Sequence, residues 1–141
     1  MIDGLYNTDI LSLAAGIAHV GALDAPQGSA RKVSKLCGSW VEVDINAKDG
    51  KVSGFAIRLQ ACALGQASAS ILSEAIIGAS LEDIIGARNA LETMLKRGGK
   101  PPSGRFAKLA LLADVANYPA RHTSTLLAFD AAAKAMAAAL V

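Results

Sequence analysis

The stretch that most constrains the fold runs from Lys35 to Ser70: it opens beside Cys37 and delivers Cys62, the second of two cysteines, to the start of a helix. Between them Trp40, Glu42, Asp44 and Asn46 alternate with Val41, Val43 and Ile45. That is the period of a half-buried strand. Asp49-Gly50 supplies a tight turn, because glycine accepts the positive φ that a two-residue hairpin connection requires. The return strand runs from Val52 to Gln60, with Phe55, Ile57 and Leu59 on one face. With Arg31 to Leu36 as a preceding strand, the three form an antiparallel meander. Strand one then ends where strand three ends, and two cysteines distant in sequence reach one end of one sheet.

The rest of the chain reads as helices. Asn7 or Thr8 can cap a first helix to about Ile17, with Ile10, Leu11, Ala14 and Ala18 at helical spacing. Residues 21–29 are loop-like, punctuated by Pro26 and Gly28. Arg31, Lys32 and Lys35 give the first strand a basic cast. Exposed lysines on an edge strand discourage edge-to-edge pairing; the sharper reading is a docking patch for an acidic partner. After the meander, Cys62 to Ile77 is a helix rich in alanine, serine and glycine, with Gly78 as its C-cap. Ser80 and Asp83 make a capping-box-like start for the next helix. That helix buries Ile84, Ile85, Leu91, Met94 and Leu95 and stops at Gly98-Gly99. Lys96 to Arg105 is a basic loop rich in glycine and proline, followed by a short helix from Phe106 to Ala113. A break at Asn117-Tyr118 precedes a last helix that takes Pro119 in its first turn and runs through Ala139. The expected class is α+β: an N-terminal helix, a three-stranded antiparallel sheet, then about four helices packed on it.

Composition narrows the function classes. At 141 residues the chain is expected to be one domain, and alanine inflates its hydrophobic fraction of 52% while aromatics reach only 4%. A formal charge of +2 is too small to argue for nucleic acid. Two cysteines make no disulfide framework, which suits a reducing, cytoplasmic setting. The first ten residues lack the basic start and apolar run of a signal peptide. Asp114, Arg121, Asp130 and Lys134 interrupt the apolar C-terminal third, so no membrane span is expected. A Ser-His-Asp order, a nucleophile elbow and a phosphate-cradling glycine loop are all missing, and the chain is read as not an enzyme.

Three places converge on the end of the sheet. One is the turn Cys37-Gly38-Ser39; the second is Cys62, where a helix N-terminus favours a thiolate. The third is the start of the last helix, Arg121-His122-Thr123-Ser124, should it fold over the sheet. Two thiolates with a nearby imidazole can hold zinc or iron. The bland alternative is two cysteines packed as small hydrophobes and a structural histidine.

The chain resembles the iron–sulfur cluster assembly scaffold family, the NifU N-terminal domain group that includes IscU and SufU. The likeness rests on Leu5-Tyr6 near the first helix, the turn at Cys37-Gly38-Ser39 and the passage from Phe55 to Ser70. It continues through Ile76 to Gly78 and Arg121 to Ala128. Its most specific piece is Ala61-Cys62-Ala63 followed by Gln66-Ala67-Ser68-Ala69-Ser70. In that family three cysteines and one aspartate hold a nascent cluster, or zinc in its absence.

Carried over residue by residue, the resemblance implies ligands at Cys37 and Cys62. The aspartate is replaced by Ser39, and the third cysteine falls on Ser124, or on Thr123 or His122 with a small slip in alignment. Ala18-His19-Val20 stands where the family has Pro-Arg-Asn, and the Leu-Pro-Pro-Val-Lys segment offered to a dedicated chaperone is not present. The implied function is an iron–sulfur cluster assembly scaffold binding iron, a nascent Fe–S cluster or zinc, with His122 the foremost additional ligand. A cysteine desulfurase and other Fe–S assembly proteins are the implied partners, and self-association stays open. Two rival readings are a degenerate, metal-free adaptor for a desulfurase or related partner, and a thiol–disulfide or sulfur-transfer role for the two cysteines.

Overall fold

The computed structural model describes residues 6–36 and 38–141. Cys37 therefore lies outside the described residues, as does Leu5. The elements in chain order are α1 (Thr8–Ala15), β1 (Gly28–Val33), β2 (Trp40–Lys48), β3 (Lys51–Gln60), α2 (Ala63–Ala75) and α3 (Leu81–Arg97). A 3-10 stretch, Gly104–Asn117, and a 3-10 turn, Pro119–Arg121, lead into α4 (His122–Ala139). The expected α+β architecture is what forms: three antiparallel strands in the order β1-β2-β3, with the helices packed against them.

The hairpin forms because its residues agree with the pleat. Val41, Val43 and Ile45 are all fully buried, and Val43 and Ile45 pair with Ile57 and Phe55 of β3 on the same face. Asp49 and Gly50 both take positive φ, 56° and 77°, which matches the turn to the twist of the strands. Helix α4 lies across the buried face of β1 and β2 and touches α2 and α3 as well. Its alanines make this close: Ala131, Ala132 and Ala135 are fully buried. A Cβ built on Gly28 would lie 2.0 Å from the Ala135 carbonyl oxygen. Glycine at that position lets β1 and α4 come together.

The opposite face of the sheet is crossed by the chain between α1 and β1. Residues 19–21 run along the free edge of β3: Ile57 N–H donates to the His19 carbonyl and Gly21 N–H to the Ile57 carbonyl, each at 3.0 Å. The segment then crosses the face at Leu23, whose amide donates to Asp44 Oδ2 at 3.1 Å. It reaches the far side at Gln27, bonded to the Ile45 carbonyl at 3.2 Å. Asp44 is buried beneath this strap and is held by Arg58 at 3.0 and 3.1 Å and by the Ser29 hydroxyl at 2.7 Å.

Several boundaries differ from expectation. The first strand starts at Gly28 and ends at Val33, where Arg31 to Leu36 was expected. Gly28 and Ala30 have weak strand propensity but are the small, buried residues on the face that α4 covers, and tertiary packing overrides propensity. Helix α1 stops at Ala15, two residues short of Ile17, with Gly16 as its cap. Helix α2 ends at Ala75, and Gly78 is not its cap: Gly78 (φ 91°) donates its amide to the Val52 carbonyl instead. The carbonyls of Ala75 and Ile77 are taken by the Arg105 guanidinium at 2.8 and 2.9 Å. Ile85 is exposed rather than buried, whereas Ile84, Leu91, Met94 and Leu95 are buried as expected. The short helix at 106–113 is a longer 3-10 stretch with a kink at Phe106. The Ser80–Asp83 capping box and the left-handed Gly98 bracket α3 as the sequence indicates.

Candidate functional site

The site is assembled at the end of the sheet that neither α4 nor the strap covers. There β3 ends at Gln60, and within two residues the chain enters α2 with Cys62 as the extended N-cap (φ −68°, ψ 171°). The side chain of Cys62 makes no capping hydrogen bond to its own helix. The corner is fixed by Gln66, whose Nε2 donates to the Ala61 carbonyl at 3.0 Å. Next to it lies the β1–β2 connection. Gly38 N–H donates to the Ser34 carbonyl at 2.8 Å, and Ser34 N–H to the Ser39 carbonyl at 2.7 Å. Gly38 needs its left-handed φ of 72° to close this turn.

The third component comes from the start of α4. Pro119 opens the 3-10 turn, and the Arg121 carbonyl accepts from the Thr125 hydroxyl at 2.8 Å and from Ser124 Oγ at 3.5 Å. This orients the first turn of α4 so that Ser124 Oγ lies 3.6 Å from Cys62 Sγ. The two residues are 62 positions apart in sequence. Gly65 makes their approach easy, since a Cβ there would come within 2.8 Å of Ala61 Cβ and 3.2 Å of the Ser124 carbonyl oxygen. Cys62, Ala61 and Gln60 line an open pocket of about 260 Å³ with Gly38, Ser39 and Arg121. Ser39 and Ser124 are both buried, and Cys62 is half-buried.

The structure thus brings together Cys62, Ser124 and, around the same pocket, Ser39. Cys37 is outside the described residues, though its chain neighbour Gly38 lines that pocket. His122 goes elsewhere. It is buried, and its Nε2 lies 3.0 Å from the Val115 carbonyl. A carbonyl only accepts, so Nε2 carries the proton there and offers a metal no lone pair. Among the described residues no cluster of three or more His, Cys, Asp or Glu side chains is poised to hold a metal. Among the described residues, the donors around the pocket are the Cys62 thiol and the Ser39 and Ser124 hydroxyls. Arg121, part of the helix start expected to fold over the sheet, lines the pocket wall. Among the described residues no helix is long and apolar enough to cross a membrane.

Comparison with known proteins fits this geometry. The sequence profile of the NifU-like N terminal domain matches residues 5–125. The chain is similar to the iron-sulfur cluster assembly scaffold protein IscU of Thermotoga maritima: 30% identical over 132 residues, covering 94% of this chain and 92% of that protein. It is 25% identical to the protein of the same name from Streptococcus pyogenes serotype M1, covering 96% of this chain and 84% of that one. Among solved structures, a nitrogen-fixing NifU-like protein (N-terminal) from Brucella abortus superposes with a TM-score of 0.95 at 44% identity, covering 99% of this chain and 96% of that one. The chain belongs to the NifU-like N-terminal domain family, that of the IscU-like iron–sulfur cluster assembly scaffolds.

Proposed function

We propose that this protein is a non-catalytic scaffold that carries iron, a nascent Fe–S cluster or zinc as cargo on the thiolates of Cys37 and Cys62. The observation that supports it most is the meeting of Cys62 Sγ and Ser124 Oγ at 3.6 Å beside a pocket that Ser39 also lines. Those are the positions at which the family likeness expects ligands. A cysteine desulfurase would supply the sulfur in a cytoplasmic setting, with neither nucleic acid nor membrane involved, and other assembly proteins would receive the product. Serine hydroxyls are hard donors and seldom ionise at neutral pH, so Ser39 and Ser124 bind a soft thiophilic ion weakly. His122 would join through Nε2 only by giving up its hydrogen bond to Val115. The relatives named above are called scaffold proteins, which accords with a carrier role.

The test is anaerobic reconstitution of the full chain with iron and sulfide, reading bound iron, bound sulfide and visible absorption. Wild type should retain metal, and the double variant Cys37→Ser/Cys62→Ser should lose most of it. Equal, negligible loading of the two would overturn the proposal.

A second reading, a metal-free adaptor for a desulfurase or related partner, draws on a separate observation. Val33 and Leu36, 52% and 73% exposed, sit by the site with Arg31 and Lys35. Apolar groups ringed by charge mark contact surfaces. An adaptor keeps its partner after both cysteines are replaced; a carrier that engages its partner through the thiols does not.

A further inference from the structure

We infer that the open edge of β1 takes an extended, acidic segment of a partner protein as an added strand. The site needs neither thiol and no metal, so it goes beyond the carrier function. It also gives the contact surface of the adaptor reading a mode of binding and a chemistry.

The two edges of the sheet are treated differently. Among the described residues, the β3 edge is closed by the chain itself: Ile57 bonds with His19 and Gly21, and Val52 with Gly78 and Ala79. Strand β1 pairs with β2 alone. Ser34 N–H donates to the Ser39 carbonyl one step beyond the Val33–Trp40 pair, which makes Ser34–Ser39 a hydrogen-bonded position of the ladder. Such positions alternate along an antiparallel pair. Gly28, Ala30 and Lys32 therefore direct their backbone groups to β2, while Ser29, Arg31 and Val33 turn theirs to the open edge. These last three residues are exposed. A row of this kind is what an added strand pairs with.

Charge selects the occupant. Arg31, Lys32 and Lys35 are clustered in sequence, and none of them takes part in an ion pair among the described residues. The Arg31 guanidinium lies over the Trp40 ring, 4.5 Å from its centroid. Glu42, opposite Arg31 in the register, is held by Arg58. Val33 and Leu36, 52% and 73% exposed, lie among these cations. Lysines alone suffice to keep an edge from pairing; the two apolar side chains between them add surface for a partner to bury. A second copy of this chain is a poor occupant, because pairing β1 with β1 brings two basic clusters together, and like charges across a strand pair repel. The complement is a strand with carboxylates beside the cations and an apolar residue beside Val33.

The experiment uses the full chain and fluorescein-labelled peptides of about eight residues in which glutamate alternates with valine, read by fluorescence anisotropy. One control replaces glutamate with lysine. Another carries N-methyl groups on its central amides, which removes the strand's donors and keeps its charge. The acidic peptide should bind about tenfold more tightly than either control, the scale of two or three exposed ion pairs, and should weaken as salt rises. At saturating peptide, hydrogen exchange followed by NMR should slow at the amides of Ser29, Arg31 and Val33 and stay unchanged at Ala30 and Lys32. Lys32→Glu/Lys35→Glu, with its folding checked by circular dichroism, should reverse the preference in favour of the lysine peptide. Cys37→Ser/Cys62→Ser should bind as wild type does. Equal binding of the acidic and lysine peptides, binding that survives N-methylation, protection without the alternation, or an unchanged preference in the charge-reversed variant would each overturn the inference. So would loss of binding when the cysteines are replaced. Self-association that protects the same three amides without peptide would give the edge to a second copy and overturn it too. None of these readouts involves metal loading, so this inference and the carrier proposal fail independently.

Discussion

At the scale of single residues, the contact between Cys62 and Ser124 makes a direct prediction. An oxygen 3.6 Å from a thiol sulfur occupies the place where a second sulfur would share a metal. Serine and cysteine differ by one atom, so Ser124→Cys needs little repacking at this buried position. Zinc affinity, measured by competition with a chromophoric chelator, should rise at least about tenfold over wild type, equivalent to roughly 1.4 kcal/mol. No change would mean that Ser124 does not face the cargo. The family likeness put the third ligand position on Ser124, or on Thr123 or His122 with a small slip, and of these it is Ser124 whose side chain lies beside Cys62. The direction taken by His122 was not readable in the sequence. Whether a histidine at a helix start faces a metal or a carbonyl depends on what the preceding 3-10 stretch offers, and here it offers the Val115 oxygen.

Among the elements, β2, β3 and α3 were legible because alternation, the Asp49-Gly50 turn and the Ser80 capping box all point the same way. Strand β1 was misplaced by three residues because its buried half is Gly28 and Ala30, small residues chosen by contact with α4 rather than by strand propensity. That contact can be tested. In Gly28→Ala the new methyl would sit 2.0 Å from the Ala135 carbonyl oxygen and 2.6 Å from the Ala139 amide nitrogen, both backbone atoms of α4. Backbone cannot rotate aside, so sheet and helix must separate. The loss should reach or exceed about 3 kcal/mol, the upper part of the usual range for overpacking. Urea unfolding would show it as a lower midpoint with an unchanged slope. A midpoint within a few tenths of molar of wild type would show that β1 and α4 are looser than described. The 3-10 stretch Gly104–Asn117 was the least legible: its buried Phe106, Leu109, Leu112 and Val115 recur every three residues, a spacing that an α-helical reading also accepts.

In the whole molecule, one face of the sheet is covered by α4 and the other is crossed by the strap at 19–27, and the proposed cargo site lies at the end of the sheet where β3 leads into α2. The strap is held by hydrogen bonds, two of them to the Asp44–Arg58 ion pair: the Leu23 amide donates to Asp44 and Arg58 donates to the Gly21 carbonyl. Hydrogen bonds from Arg58 keep the Asp44 carboxyl below the usual carboxylate range; the Ser29 hydroxyl and Leu23 amide add to this, while burial opposes it. A folded-state pKa below the unfolded value, about 3.9 for aspartate, stabilises the fold wherever the unfolded chain would already be ionised. The contribution is therefore complete above roughly pH 5 and is lost as pH falls through the lower, folded value. Asp44→Asn should cost about 2–3 kcal/mol at neutral pH, because Arg58 is left partly buried with Glu42 as its remaining carboxylate partner. The gap between variant and wild type should narrow steadily below about pH 4. Local loosening should accompany the global loss: the Leu23 amide, which donates to Asp44 Oδ2, should exchange with deuterium far faster in the variant than in wild type. A gap that stays constant from neutral to acid pH, or unaltered protection at Leu23, would show that something other than this carboxylate fastens the strap. Metal uptake at the far end should change little in the variant as long as the chain stays folded, because Cys62, Ser124 and Arg121 are positioned by α2 and α4 rather than by the strap.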